Sequence, residues 1–138
     1  MVKILDVVAA VIERDGEILL ARRPPQADQP GMWEFAGGKV EAGESQPQAL
    51  VRELREELGI EAVVGKYIAS HQREVSGRMI RLHAWHVPAF SGELSAHYHQ
   101  EMVWCTPEAA RYYPLAPADI PLLEAFMASR DARAEDAC

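Results

Sequence analysis

The alternation of apolar and polar positions divides this chain into short elements. Residues 7–12 (VVAAVI) form an apolar run rich in β-branched side chains, and residues 18–21 (ILLA) form a second. Asp15-Gly16 between them reads as a turn, so the two runs predict a β-hairpin. Residues 24–31 hold Pro24, Pro25, Pro30 and Gly31 and read as a loop. Trp33-Glu34-Phe35 is a short extended piece that Gly37-Gly38 should break. Residues 45–58 then change period: Leu50, Leu54 and Leu58 recur every fourth position, the spacing of one helix face. Ser45 with Gln48 fits a capping box, Pro47 is tolerated in the first turn, and Gly59 suits the helix end.

Period-2 patterning returns in residues 62–74 and 79–87, two strands expected around a Ser76-Gly77 turn. In the second, Arg81, His83 and Trp85 share one face, and Ile80, Leu82 and Ala84 the other. Residues 102–105 read as a short strand. Thr106 and Pro107 open a short helix. Asp119 is placed to cap a last helix carrying Leu122, Leu123, Phe126 and Met127. After Ser129 the chain is small and polar and is expected to fray. Strands and helices in this order predict an α/β fold, a mixed sheet with helices on its faces.

A length of 138 residues, 49% of them hydrophobic, fits one domain with a real core. The net charge of -7 does not suit a protein that grips a nucleic-acid polymer. Cys105 and Cys138 form neither a disulfide framework nor a zinc spacing. Asp6 interrupts the N-terminal apolar run too early for a signal-peptide core, and no run is long enough to span a membrane. A cytoplasmic protein without membrane partners is the expectation.

The candidate chemistry lies on the helix. Glu53, Glu56 and Glu57 stand at i, i+3 and i+4 and share a side distinct from the leucine stripe. Crowded carboxylates bind protons or a cation, and hard oxygen ligands suit Mg²⁺ or Mn²⁺. Arg52 and Arg55, on the adjoining arc, could orient them. Taken alone, the same string also describes an ordinary solvated face laced with ion pairs.

The surroundings decide between these readings. Residues 38–60, GKVEAGESQPQALVRELREELGI, carry Gly38, Glu44, Arg52, Glu53, Leu54, Glu56, Glu57, Gly59 and Ile60 at the spacing of the Nudix box. The chain resembles the MutT-type branch of the Nudix hydrolases, and within it the CTP-hydrolysing members. Arg22-Arg23, Trp33-Glu34-Phe35 and Pro117-Ala118-Asp119 extend the likeness over residues 3–128. The resemblance implies an α/β/α sandwich over residues 1–128, with 129–138 as the frayed tail. It implies Mg²⁺ or Mn²⁺ dependence and hydrolysis of a nucleoside triphosphate to the monophosphate and pyrophosphate. CTP, dCTP or 5-substituted dCTP is the expected substrate. The alternatives are an oxidised nucleotide such as 8-oxo-dGTP, or a weakly catalytic nucleotide-binding module. A monomer or homodimer is expected.

Carried over residue by residue, Glu53, Glu56 and Glu57 with a carbonyl of Gly37 or Gly38 resemble metal ligands. Glu53 resembles the base. Arg52 resembles the residue that holds the glutamates, and Glu44 the support of the loop–helix junction. Arg23 and Lys39 resemble phosphate contacts. Glu34, Phe35, Gly38, Arg73 and Asp119 resemble further substrate contacts, the last two at the base. Two positions depart from the branch. Tyr98 stands where its members often carry Glu, and Glu101 nearby points the wrong way in an extended segment. Ala36 replaces a common proline. Of the five histidines, His83 and His86 do not share a strand face, and His97 and His99 lie in a loop without a third ligand. Trp33 and Trp85 are expected to pack rather than stack on a base.

Overall fold

The computed structural model describes residues 3–136, so Cys138 lies outside the described residues. Strand β1 (Lys3–Arg14) is the centre of the architecture. It pairs in parallel with β7 (Arg78–Val87) from Lys3↔Arg78 to Ile12↔Val87. Its other edge takes β4 (Gly37–Lys39), antiparallel, and then β2 (Glu17–Arg22) across the Asp15-Gly16 turn. Strand β2 carries β3 (Trp33–Glu34) and β9 (Glu101–Cys105), and β7 carries β6 (Tyr67–Val75). The result is a seven-stranded mixed sheet. A separate two-stranded sheet joins β5 (Glu61–Val63) to β8 (Ala89–Ser91).

The unbroken apolar run of β1 has a physical reason, for the strand is covered on both faces. Val8, Ala10 and Ile12 pack with Leu50, Leu54 and Leu58 of helix α1 (Gln46–Leu58). Ala9 and Val11 face the opposite layer, with Leu122, Leu123 and Phe126 of α3 (Ile120–Asp136). This is the expected α/β/α sandwich. The short α2 (Pro107–Ala110) is capped by Thr106, whose side chain accepts from the Ala109 N–H. Among the described residues no helix is long and apolar enough to cross a membrane.

Three local expectations need correction. Gly37-Gly38 does not break an extended piece; it forms β4, because Val8 and Ala9 of β1 present an open edge to pair with it. The run 62–74 is two strands, divided at Gly65, where a Cβ would lie 3.0 Å from Pro88 and 3.1 Å from the His86 carbonyl. The last helix does not end at Ser129 but extends to Asp136. Residues 130–136 contain no Gly or Pro, and four of the seven are Ala or Arg, so polarity alone does not stop the helix.

Candidate active site

Helix α1 begins where its sequence says it should. The Ser45 side chain accepts from the Gln48 N–H, the Gln48 side chain accepts from the Ser45 N–H, and Gly59 ends the helix at φ 71°. With Leu50, Leu54 and Leu58 fully buried, the other side of the helix must carry Glu53, Glu56 and Glu57 outward over β4.

The three glutamates are not equivalent. Glu57 is innermost: its Oε1 accepts from the Gly37 N–H at 3.2 Å. Burial, then the neighbouring Glu53 charge, pushes its pKa up to about 8. Glu53 is also raised, first by burial, against the pull of Arg52. Glu56 is largely exposed. Beneath them, a Cβ on Gly38 would stand 2.3 Å from the Glu53 carboxyl carbon. The backbone of β4 therefore touches two of the three carboxylates, and Gly38 is what lets Glu53 lie flat against it.

Arg52 braces this group. Its Nε and Nη2 hold both oxygens of Glu44, at 2.7 and 2.9 Å. Nη1 reaches Glu53 at 2.9 Å and Glu56 at 3.5 Å. Nη2 also donates to the Lys39 carbonyl at 3.0 Å. The Arg52 hydrogen bonds hold Glu44 down to a pKa of about 2, helped by the Glu41 N–H. A planar fork tied to loop, strand and helix at once is a device for fixing carboxylate positions. Arg55 instead pairs with Glu61 and takes no part.

A second polar group adjoins the first. Arg23 Nη1 donates to Glu34 Oε1 at 2.7 Å, and its Nε donates to the Asp28 carbonyl. The other oxygen of Glu34 meets His99 Nε2 at 2.9 Å. Asp119 is 4% exposed, and its Oδ1 accepts from the Phe35 N–H at 3.2 Å. Its side chain does not cap α3; the backbone of Phe35, far away in sequence, has taken that acceptor. The Tyr98 phenol lies in the field of Arg23, Glu34 and Glu57, and burial keeps its proton on more tightly than usual. Glu101 pairs with Arg22, so it does not stand in for a loop glutamate.

Most of the residues singled out in the sequence thus gather: Glu53, Glu56, Glu57, Arg52, Gly37 and Gly38 in one group, and Arg23, Glu34, Phe35 and Asp119 in the other. Lys39 reaches the first only through its carbonyl, and its exposed side chain makes no hydrogen bond among the described residues. Arg73 is an exposed residue of β6 with no side-chain hydrogen bond to either group among the described residues. Trp33 packs edge-on to Tyr113, and Trp85 donates to Gln46, so both are occupied in the fold. His83 and His86 bond to Asp6 and Glu13. His99 went unrecognised in the sequence, because its partner Glu34 becomes a neighbour only in the fold. A cavity of about 220 Å³ lined by Lys66, Tyr67, Ile68, His86, Phe126 and Ser129 shares no residue with either group.

An all-oxygen set short of positive charge fits a hard divalent cation. Burial, joined at Glu57 by the neighbouring Glu53 charge, raises the proton affinities of both Glu53 and Glu57. Among the described residues no three His, Cys, Asp or Glu side chains converge as a finished cage. Holding a cation requires the carboxylates to draw closer together than they stand here.

Asp119 allows a test by pH. Burial, reinforced by Glu34 and opposed by the Phe35 N–H and Arg23, moves it from 3.8 up to about 7. The fold thus prefers the protonated acid. Its contribution to stability is whole below about pH 3.8 and is lost as pH rises through about 7. Asp119→Asn is expected to flatten the fall of Tm across that window. Parallel wild-type and variant Tm–pH curves would contradict the buried-acid assignment.

Over residues 3–126 the chain matches the NUDIX domain family. It is 75% identical over 134 residues to a CTP pyrophosphohydrolase of Escherichia coli, covering 97% of this chain and 99% of that protein. It is 34% identical over 126 residues to an 8-oxo-dGTP diphosphatase of Haemophilus influenzae, covering 91% and 93%. The solution structure of the E. coli ORF135 protein matches it with a TM-score of 0.89 at 76% identity, covering 96% of this chain and 94% of that one.

Proposed function

Because this chain belongs to the NUDIX domain family, we propose that its α1 face hydrolyses CTP or dCTP, including 5-substituted dCTP, to the monophosphate and pyrophosphate in the cytoplasm. The observation that carries this reading is the braced set of Glu53, Glu56 and Glu57 lying on the glycine backbone of β4. The 75% identity to a CTP pyrophosphohydrolase supports the choice of base.

The reaction adds water across the α–β phosphate bridge: one new P–O bond forms, one bridging P–O bond breaks, and a proton leaves the water. Glu56 and Glu57, with Glu53 and a carbonyl of Gly37 or Gly38, would hold Mg²⁺ or Mn²⁺. Such an ion, when bound, lowers the pKa of water and offsets phosphate charge. Glu53, oriented by Arg52, takes the proton; its raised proton affinity suits a base. Arg23 and Lys39 meet the charge that develops on the phosphates.

Base choice rests on Asp119. With Oδ1 engaged by Phe35, Oδ2 takes no hydrogen bond among the described residues and is not sealed from solvent. An ionised carboxylate only accepts, so it pairs with the exocyclic amine of cytosine and opposes the carbonyl of uracil or thymine. Arg73 is the proposed donor to the cytosine ring acceptors. Turnover of dCTP is expected to exceed that of dTTP by at least about 10²-fold in kcat/KM, the scale of polar discrimination. The preference should grow as pH rises through about 7, where Asp119 ionises. Asp119→Ala should shrink it. Equal rates on dCTP and dTTP, or an undiminished preference in Asp119→Ala, would refute the base assignment. Guanine offers N–H donors too, and relatives include 8-oxo-dGTP diphosphatases, so 8-oxo-dGTP belongs in the same panel as the second substrate.

A further inference from the structure

We propose that His99 is a positioning residue for the substrate-binding pair Arg23–Glu34, an inference that rests on the function proposed above. The His99 side chain is wholly shielded from solvent. An ionised Glu34 only accepts, so the hydrogen bond at 2.9 Å requires the proton on His99 Nε2. The same carboxylate uses its other oxygen on Arg23 at 2.7 Å. His99, Glu34 and Arg23 therefore form a chain in which the buried imidazole sets the carboxylate plane and the carboxylate sets the guanidinium.

The loop that carries His99 is fastened on both sides. The His97 N–H donates to the Glu57 carbonyl at 2.9 Å, and the Gln100 N–H donates to the Arg22 carbonyl at 2.9 Å. One tie is to the catalytic turn of α1, the other to the residue before Arg23. This backbone cannot drift without moving either group, and the ring between the two ties inherits that rigidity.

The imidazole is a costly way to fill such a position. Its buried Nδ1 has no hydrogen-bond partner among the described residues, and an unmatched buried polar atom destabilises a fold. A leucine would fill the space without that cost. What the histidine contributes and an apolar residue does not is the directed N–H toward Glu34.

The test compares His99→Ala, →Leu, →Gln and →Asn in steady-state kinetics on dCTP. Loss of the N–H frees Glu34 and Arg23, which hold the phosphates in the bound state before any charge develops on them, so Ala and Leu should raise KM about tenfold or more, with kcat falling by a smaller factor than KM rises. Gln carries an amide N–H to roughly where Nε2 stands and should restore KM to within about threefold. Asn reaches only the Nδ1 position and should behave as Ala. A purely structural histidine would change Tm without the Gln–Asn split, and the Leu variant keeps the test open if Ala unfolds. Unchanged KM in both Ala and Leu, or equal KM for Gln and Asn, overturns the proposal. Calorimetric binding of the non-hydrolysable α,β-methylene dCTP separates the two readings. Wild-type binding without cleavage refutes the hydrolysis alone, while loss of affinity in Ala, regained in Gln, still upholds His99. Cleavage by wild type with wild-type affinity in Ala refutes His99 alone, and a wild type that neither binds nor cleaves overturns both.

Discussion

Replacing Glu57 by glutamine is expected to lower kcat at least about 10²-fold while leaving the fold intact, the scale of removing one catalytic electrostatic group. Glutamine keeps the shape of the side chain, and its amide oxygen can still accept from the Gly37 N–H. What it loses is the charge, at the position where burial and Glu53 already make charge hardest to sustain. The change should therefore separate chemistry from stability. Without metal, the wild-type carboxyl prefers its proton, so its contribution to stability is whole below about pH 4.5 and is lost as pH rises through about 8. Glutamine has no such loss, and the variant's Tm should gain on the wild type across that window. Steady-state kinetics with Mg²⁺ beside a Tm–pH series reads both effects. Near-normal turnover in the variant would end the assignment of Glu57 as a cation ligand.

The second large effect contrasts two adjacent glycines. A Cβ at Gly37 would stand 1.9 Å from the Val8 carbonyl oxygen and 2.8 Å from its carbon. Both are backbone atoms of the central strand, and the pairing Ala9↔Gly37 leaves them no room to retreat. Gly37→Ala should cost about 3 kcal/mol or more, at or beyond the upper end for overpacking, and lower Tm by roughly 10 °C. A Cβ at Gly38 meets the end of the Glu53 side chain instead, at 2.3 Å. A side chain can swing aside where a strand cannot. Gly38→Ala should keep most of the Tm and lose turnover, because Glu53 leaves its bond to Arg52. Thermal melts and kcat on the two proteins check the contrast. Equal loss of Tm in both would mean that Glu53 is held as rigidly as the backbone.

Helix α1 was legible in the sequence because every signal along it is local. The Ser45–Gln48 box, the leucine spacing and Gly59 each act within a few residues, and the structure realises all of them. The spacing of the glutamates likewise brought Glu53, Glu56 and Glu57 to one side of the helix. Strand β4 was not legible, since Gly37 and Gly38 carry no side chain to betray a period, and their strand character comes from the edge of β1. Asp119 shows the same limit from the other direction. Its place before a helix suggests a cap, yet its acceptor is claimed by Phe35, 84 positions earlier. His99 belongs with it, for no pattern within the loop announces Glu34. Long-range partners are made by the fold, and local patterns are blind to them.

The double coverage of β1 also constrains the order of assembly as the chain leaves the ribosome. Residues 3–14 emerge well before residues 78–87, which complete one edge of that strand, and before α3, which completes one of its faces. Through most of synthesis, an apolar strand with an open edge waits for its partners. Parallel pairing at this separation is slow to form, and exposed edges of this kind invite other chains. A nascent chain stalled before Arg78 would thus present the apolar run of β1 as a nucleus for aggregation and a natural client for chaperones.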